Sequence, residues 1–295
     1  MTGGLGHIGS RLIRKISKHH NLTVVDNLTT ERYCSLLNAS RKFNFLECSF
    51  SDTPKHVLSK SDIVIHLAAI TNAADSFNNV NVEEVNITQT KQFIDRCSKE
   101  SSCRFIFPSS TSVYGVASST VTEDNDSFLN PQSPYAESKI EIERYLRKSD
   151  LDYVVVRLGT IFGCSPGMRF HTAVNKFCYQ ASLGIPLTVW KENYDQYRPY
   201  LGIRDCVEAI QFIMMNSKSR QTYNVISDNY KLRQVIDYIR DIRPVEINEV
   251  STPLLNQYSY KVSPKKLQKL GFYAKDDLSR GIFSTMGALK CLEGC

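Results

Sequence analysis

Short apolar runs alternate with segments whose apolar positions recur every three or four residues, and this rhythm holds over the first half of the chain. Runs of that length read as buried strands, and the helical period as helices packed on them, so the pattern predicts parallel β–α–β units. Strands are predicted at Leu22–Asp26, Phe43–Cys48, Asp62–Ala69, Cys103–Phe107 and Leu151–Leu158, with helices at Arg11–Lys18, Val82–Ser98 and from Tyr135 onward. Beyond Gly163 the regularity weakens. A turn at Cys164–Gly167 precedes a predicted helix over Arg169–Leu183, a strand at Leu187–Trp190 and a helix over Asp205–Asn216; the C-terminal third is less regular still. The pattern therefore predicts an α/β fold, with a doubly wound parallel sheet over residues 1–163 to which residues 202–226 return. Residues 164–295 would form mainly a smaller α+β lobe on the substrate side.

Composition narrows the function classes. The 295 residues are 42% hydrophobic and 22% charged, ordinary for a globular protein. No apolar run is long enough to cross a bilayer and no signal peptide is visible, so the chain is expected in the cytoplasm, without a membrane partner. The net charge of +6 is diffuse and forms no basic stripe, which suits a small anionic ligand and gives no ground for nucleic-acid binding. Nine scattered cysteines include no C-x-x-C pair, so they are expected as free, mostly buried thiols, and no metal site is expected.

Candidate chemistry begins at the first residues. Gly3, Gly6 and Gly9 are spaced to let backbone turn tightly against a pyrophosphate at the N-terminus of the following helix. The next strand ends in Asp26, placed to accept bonds from an adenosine ribose and to repel a 2′-phosphate. NAD is thus favoured over NADP, with nearby Arg32 as a contrary feature. A dinucleotide-binding unit of Rossmann type also needs a strand leading into its glycine turn, and only Met1 and Thr2 precede Gly3. Absence of that central strand would leave two neighbours without backbone partners. The expectation is a displaced start or a truncated chain, with weak cofactor binding and poor stability.

Further along, Ser109 to Ser112 put hydroxyls at a strand's C-terminal end, where open α/β sheets hold ligands. Tyr135 and Lys139 lie one helical turn apart, so an ammonium can favour the phenolate of a general base. Taken together these residues resemble the extended short-chain dehydrogenase/reductase family, and within it the NAD-dependent nucleotide-sugar epimerases and dehydratases. The resemblance rests on Thr2 to Gly9 (T-G-G-x-G-x-I-G), Asp26-Asn27-Leu28, His66-Leu67-Ala68-Ala69, Asn86, Ser110 to Gly115, Ser133 to Lys139, Arg157 to Thr160 and Arg198 to Asp205.

The resemblance implies that Tyr135 takes a proton from a sugar hydroxyl, that Lys139 holds the nicotinamide ribose, and that Ser110 bonds the reacting oxygen. It implies a pyrophosphate cradle of Gly3, Gly6, His7, Ile8 and Gly9, and a ribose site at Asp26 and Asn27. Ser49 and Phe50 would lie near the adenine, while Leu67, Ala68, Ala69 and Asn86 would line the groove. On the substrate side it implies Thr111, Ser112, Thr160, Thr172 and Tyr258, with Arg198 for the diphosphate, and a homodimer through helices near 82–98 and 132–148. Thr111-Ser112 stand where dehydratases of the family carry Asp-Glu, which disfavours dehydration. A UDP-sugar 4-epimerase reading follows, with two alternatives: a net keto-sugar reductase, and a non-catalytic dinucleotide-binding protein.

Overall fold

The computed structural model describes residues 1–39, 42–71, 75–79, 81–251 and 259–290. The helix α1 (His7–Ile16) follows the glycine turn directly, four residues earlier than the pattern predicts. Strand β1 (Thr23–Asp26) pairs in parallel with β2 (Asn44–Glu47). Strand β3 (Ile63–Ile65) pairs with β4 (Arg104–Ser110), β4 with β5 (Asp152–Leu158), and β5 with β6 (Gln221–Val225), all in parallel. Helices α2 (Thr90–Glu100) and α3 (Pro134–Lys148) pack on one face, α1 and the helix Ile203–Asn216 on the other. Each face has its own apolar core: Leu12, Ile16, Ile65 and Ile210 on one side, Leu58, Phe93, Phe105 and Leu146 on the other.

Between β1 and β3 the sheet is interrupted. Met1 to Gly3 occupy only the end of the central strand's place: Met1 N donates to Thr23 O and Val25 N to Met1 O on one side, and Thr2 N to Ile65 O on the other. Below them lies a cavity of about 730 Å³, walled by Ile16 and Met214 on one face and by Val57, Leu58 and Phe93 on the other. The next N–H groups of the two edges, at Thr23, Ile63 and Ile65, point toward it by the alternation of the ladders.

The second region gathers a smaller core from Phe162, Val174, Phe177, Val189, Ile236 and Ile282. Its helix begins at Ala173 rather than Arg169, because residues 164–168 fold back onto the glycine turn. Among the described residues no helix is long and apolar enough to cross a membrane, and no cluster of metal-ligating side chains occurs.

Candidate active site

The glycine turn is as tight as its composition demands. Gly3 has φ +63°, and a Cβ there would stand 2.5 Å from Ala68 N. At Gly9 a Cβ would stand 2.5 Å from Gly4 O, so α1 starts where only glycine fits. No side chain caps that N-terminus, which leaves its N–H groups for an anion. His7 is buried; its Nδ1 meets Ser165 Oγ at 2.8 Å, while its buried Nε2 has no partner. Burial, helped by Arg169, Arg32 and His171, drives its pKa down to about 3, so the ring is neutral. A sterically obligate cradle with uncapped donors and an orphaned ring nitrogen fits a dinucleotide pyrophosphate.

Asp26 is fixed by that same turn. Leu5 N donates to one carboxylate oxygen at 2.9 Å and Leu28 N to the other at 3.0 Å. Asn27 is exposed and its side chain accepts from Thr29 N. Arg32, the residue that argued for a 2′-phosphate, donates to Gly167 O at 3.2 Å. Ser49 accepts from Ser51 Oγ at 3.0 Å. Phe50, expected beside the adenine, is only 6% exposed and sits edge-on to His66 with centroids 4.7 Å apart, as part of the core. Leu67, Ala68 and Ala69 are half-buried beyond β3. Asn86 lies in a π-helical turn, Glu84–Gln89, and holds the loop after β3 by bonding Ile70 N at 2.9 Å and Ile70 O at 2.8 Å.

Helix α3 begins with Ser133 capping Ala136 N and Pro134 in the first turn, which aims Tyr135 at the end of β4. Its phenol is near enough to Ser110 for that hydroxyl to act on it, and Ser110 Oγ accepts from Ser112 N at 3.1 Å and Ser112 Oγ at 2.9 Å. Lys139 Nζ donates to Pro108 O at 2.9 Å, lies 4.6 Å from the Phe107 ring centroid, and stands 5.7 Å from that of Tyr135. The three groups are therefore together, but their electrostatics differ from the sequence expectation. Burial raises the Tyr135 pKa above its ordinary value; Arg169 and the nearby Ser110 hydroxyl oppose that rise. Lys139 is turned to the backbone and the ring faces, and burial lowers its own pKa to about 8 against the pull of Glu143.

On the substrate side, Thr111 is buried with its Oγ1 3.4 Å from Tyr260 OH. Thr160 pairs with Tyr200, and the Arg198 guanidinium lies 5.4 Å from the Tyr260 ring centroid. Thr172 donates to Ile161 O. Tyr258 lies outside the described residues. Two residues were missed. Arg169 bonds Thr71 Oγ1 and acts on Tyr135 electrostatically. Asn175 is fully buried and ties Gly163 N to Arg169 O, fixing the segment that carries Arg169. An asparagine within the apolar stripe of Val174, Phe177 and Cys178 was the signal available for it.

Comparison with known proteins settles the class. Residues 1–225 match the model of the NAD dependent epimerase/dehydratase family. The chain belongs to that family. NAD is the family's cofactor, and the cradle described above fits it. One relative, described as an uncharacterized UDP-glucose epimerase of Bacillus subtilis, is 28% identical over 232 residues, or 72% of this chain and 71% of the relative. A dTDP-D-glucose 4,6-dehydratase of Dictyostelium discoideum is 30% identical over 77% of this chain and 58% of its own length. Solved structures of similar fold include UDP-glucuronic acid 4-epimerase from Bacillus cereus, with UDP-glucuronic acid and NAD. It superposes with a TM-score of 0.88 at 23% identity, covering 99% of this chain and 98% of the other. UDP-glucose 4-epimerase from Thermotoga maritima gives 0.86 at 21% identity, covering 98% and 97%.

Proposed function

We propose that this protein is an NAD-dependent 4-epimerase of a nucleotide-diphosphate sugar, UDP-glucose being the first candidate. The observation that supports isomerisation over elimination is the surroundings of Ser110. Its hydroxyl is flanked by Thr111 and Ser112, and those two side chains bond Tyr260 and Ser110. Expelling water from a neighbouring carbon needs an acid or base beside that carbon, and two aliphatic hydroxyls are poor in either role.

Tyr135 Oη takes the proton from the sugar's 4-hydroxyl while Ser110 donates to the same oxygen, stabilising charge as the C–O bond becomes C=O. Bound NAD supplies the hydride acceptor and returns the hydride. Between the two transfers the 4-keto sugar turns over, and Tyr135 gives its proton back to the oxygen on the new face. Lys139, cationic below about pH 8, would hold the nicotinamide ribose with donors beyond the one it gives Pro108 O. Arg198 would pair with the diphosphate, a role that suits a guanidinium fork.

The test supplies UDP-glucose in large excess over NAD and follows the anomeric protons by NMR. Many turnovers to the 4-epimer per NAD support the reading. NADH or oxidised sugar formed one-to-one with NAD, or a 4-keto-6-deoxy product, would overturn it. The homodimer through the faces of residues 82–98 and 132–148 is part of the same proposal, and sedimentation at micromolar concentration tests it.

A further inference from the structure

Glu143 and Arg157 are the most deeply buried ion pair among the described residues, their side chains 2% and 0% exposed. Arg157 Nη2 lies 2.6 Å from Glu143 Oε2, with Nε 3.1 and 3.2 Å from the two carboxylate oxygens. Ser109 Oγ donates to Glu143 Oε1 at 2.5 Å. Arg157 Nη1 continues to Tyr114 OH at 2.9 Å, and Tyr114 OH to Asn224 Oδ1 at 2.7 Å. The carboxylate thus joins α3 to β4 and β5 directly, and β6 through the chain. A buried pair of this kind is weak evidence of stability in itself, because desolvation offsets much of the attraction.

Its place argues for something else. Glu143 is one helical turn beyond Lys139 on the same helix. The residue it binds, Ser109, stands between Pro108, whose carbonyl accepts from Lys139 Nζ, and Ser110, the hydroxyl that meets Tyr135. One carboxylate therefore fixes the strand end that carries one group of the trio and the carbonyl that anchors another. We infer that Glu143 is a positioning residue for the reaction, holding the Lys139 ammonium and the Ser110 hydroxyl in register with Tyr135. The inference rests on the epimerase reading for its turnover assay, but not for its binding assay.

Charge supports the geometry. The groups that act on Lys139 from its surroundings are Glu143 and Tyr135 on α3, neutral His66 at the end of β3, and the Phe107 ring of β4. Of the charged side chains only Glu143 acts to favour the ammonium, with the two ring faces and Pro108 O adding weaker support. Without Glu143, burial is less opposed and Lys139 loses its proton at lower pH.

The decisive variant is Glu143→Met/Arg157→Met, which removes both charges together and leaves no orphaned ion. Turnover and NAD affinity are measured from pH 6 to 9, with thermal melting alongside. Positioning predicts a melting temperature near that of the parent, kcat reduced about tenfold at pH 8 with sugar KM little changed, and an alkaline limb about one unit lower. NAD affinity should weaken at correspondingly lower pH. A double variant with parental kcat, parental pH profile and parental NAD affinity would overturn the inference and leave the pair structural. Should that variant not fold, Glu143→Asp decides. A reduced kcat and lowered limb there support positioning, and an unchanged kcat and limb refute it. If the parent turns over no sugar, the epimerase reading fails while the pH dependence of NAD binding still judges Glu143.

Discussion

Filling the gap between β1 and β3 is the perturbation whose size the structure defines best. Attach the residues Lys-Ile-Leu-Val by peptide bond to the nitrogen of Met1. Continuing the register of Met1 and Thr2 downward, the added strand meets the N–H groups of Ile65, Thr23 and Ile63 and the carbonyls of Ile63 and Asn21. Those pairings contribute about 1 kcal/mol each, or about 5 together. Three apolar side chains entering a cavity walled by Ile16, Met214, Leu58 and Phe93 contribute about 6 kcal/mol more. Ordering four residues costs about 6 kcal/mol. The net gain is about 5 kcal/mol. A further gain comes from replacing the buried Met1 ammonium, whose pKa burial lowers to about 6, with an uncharged amide. For a chain of this size that is a rise of about 10 °C in melting temperature. Calorimetry on the parent, the extended chain and a Lys-Asn-Gly-Asn control checks it. NAD titration should show tighter binding, because the strand buttresses the glycine turn. An unchanged melting temperature with Ile-Leu-Val, or an equal rise with Asn-Gly-Asn, would refute the pairing.

The remaining predictions concern the site and its pH dependence. Tyr135→Phe should lower kcat by about a thousandfold with NAD affinity retained; turnover within tenfold of the parent would remove Tyr135 as the base. Arg169→Met should raise the acid limb of the kcat profile, since Arg169 opposes the raised pKa of Tyr135, and an unmoved limb would show that the two do not interact. His7 and His66 are neutral when folded, with pKa values of about 3 against about 6.5 unfolded. Their stability contribution is complete above pH 6.5 and is lost as pH falls toward 3, about 2 kcal/mol per histidine at pH 5. Urea titrations of the parent and His66→Gln should therefore diverge less at pH 5 than at pH 7, and parallel curves would contradict this. Gly167→Ala brings a Cβ to 2.2 Å from Leu5 O, so it should weaken NAD binding and lower the melting temperature; an unchanged NAD affinity would mean the turn has room to yield.

What the sequence disclosed was what short-range pattern can encode. The apolar runs located β1 to β5, because they depend on neighbours in the chain, whereas α1 starts at His7, inside the glycine turn and four residues before its apolar period shows. The run at Asp62–Ala69 was too long by one end: β3 stops at Ile65, and beyond it only His66 and Leu67 continue the pairing, with Ile106 and Thr2. Tyr135, Lys139 and Ser110 were legible as a set through their resemblance to a family. Their electrostatics were not, because Arg169 reaches Tyr135 from a loop 34 residues away along the chain, through folding that no local period records. Glu143 and Arg157 likewise read as ordinary charges on a helix and a strand until packing brings them together.

The most direct test of the 4-epimerase account is to run the reaction in D₂O and assign the product by NMR. Internal hydride return predicts the 4-epimer with protium retained at C4 and no deuterium anywhere on the ring. Deuterium at C4 or C5 of the product would contradict it.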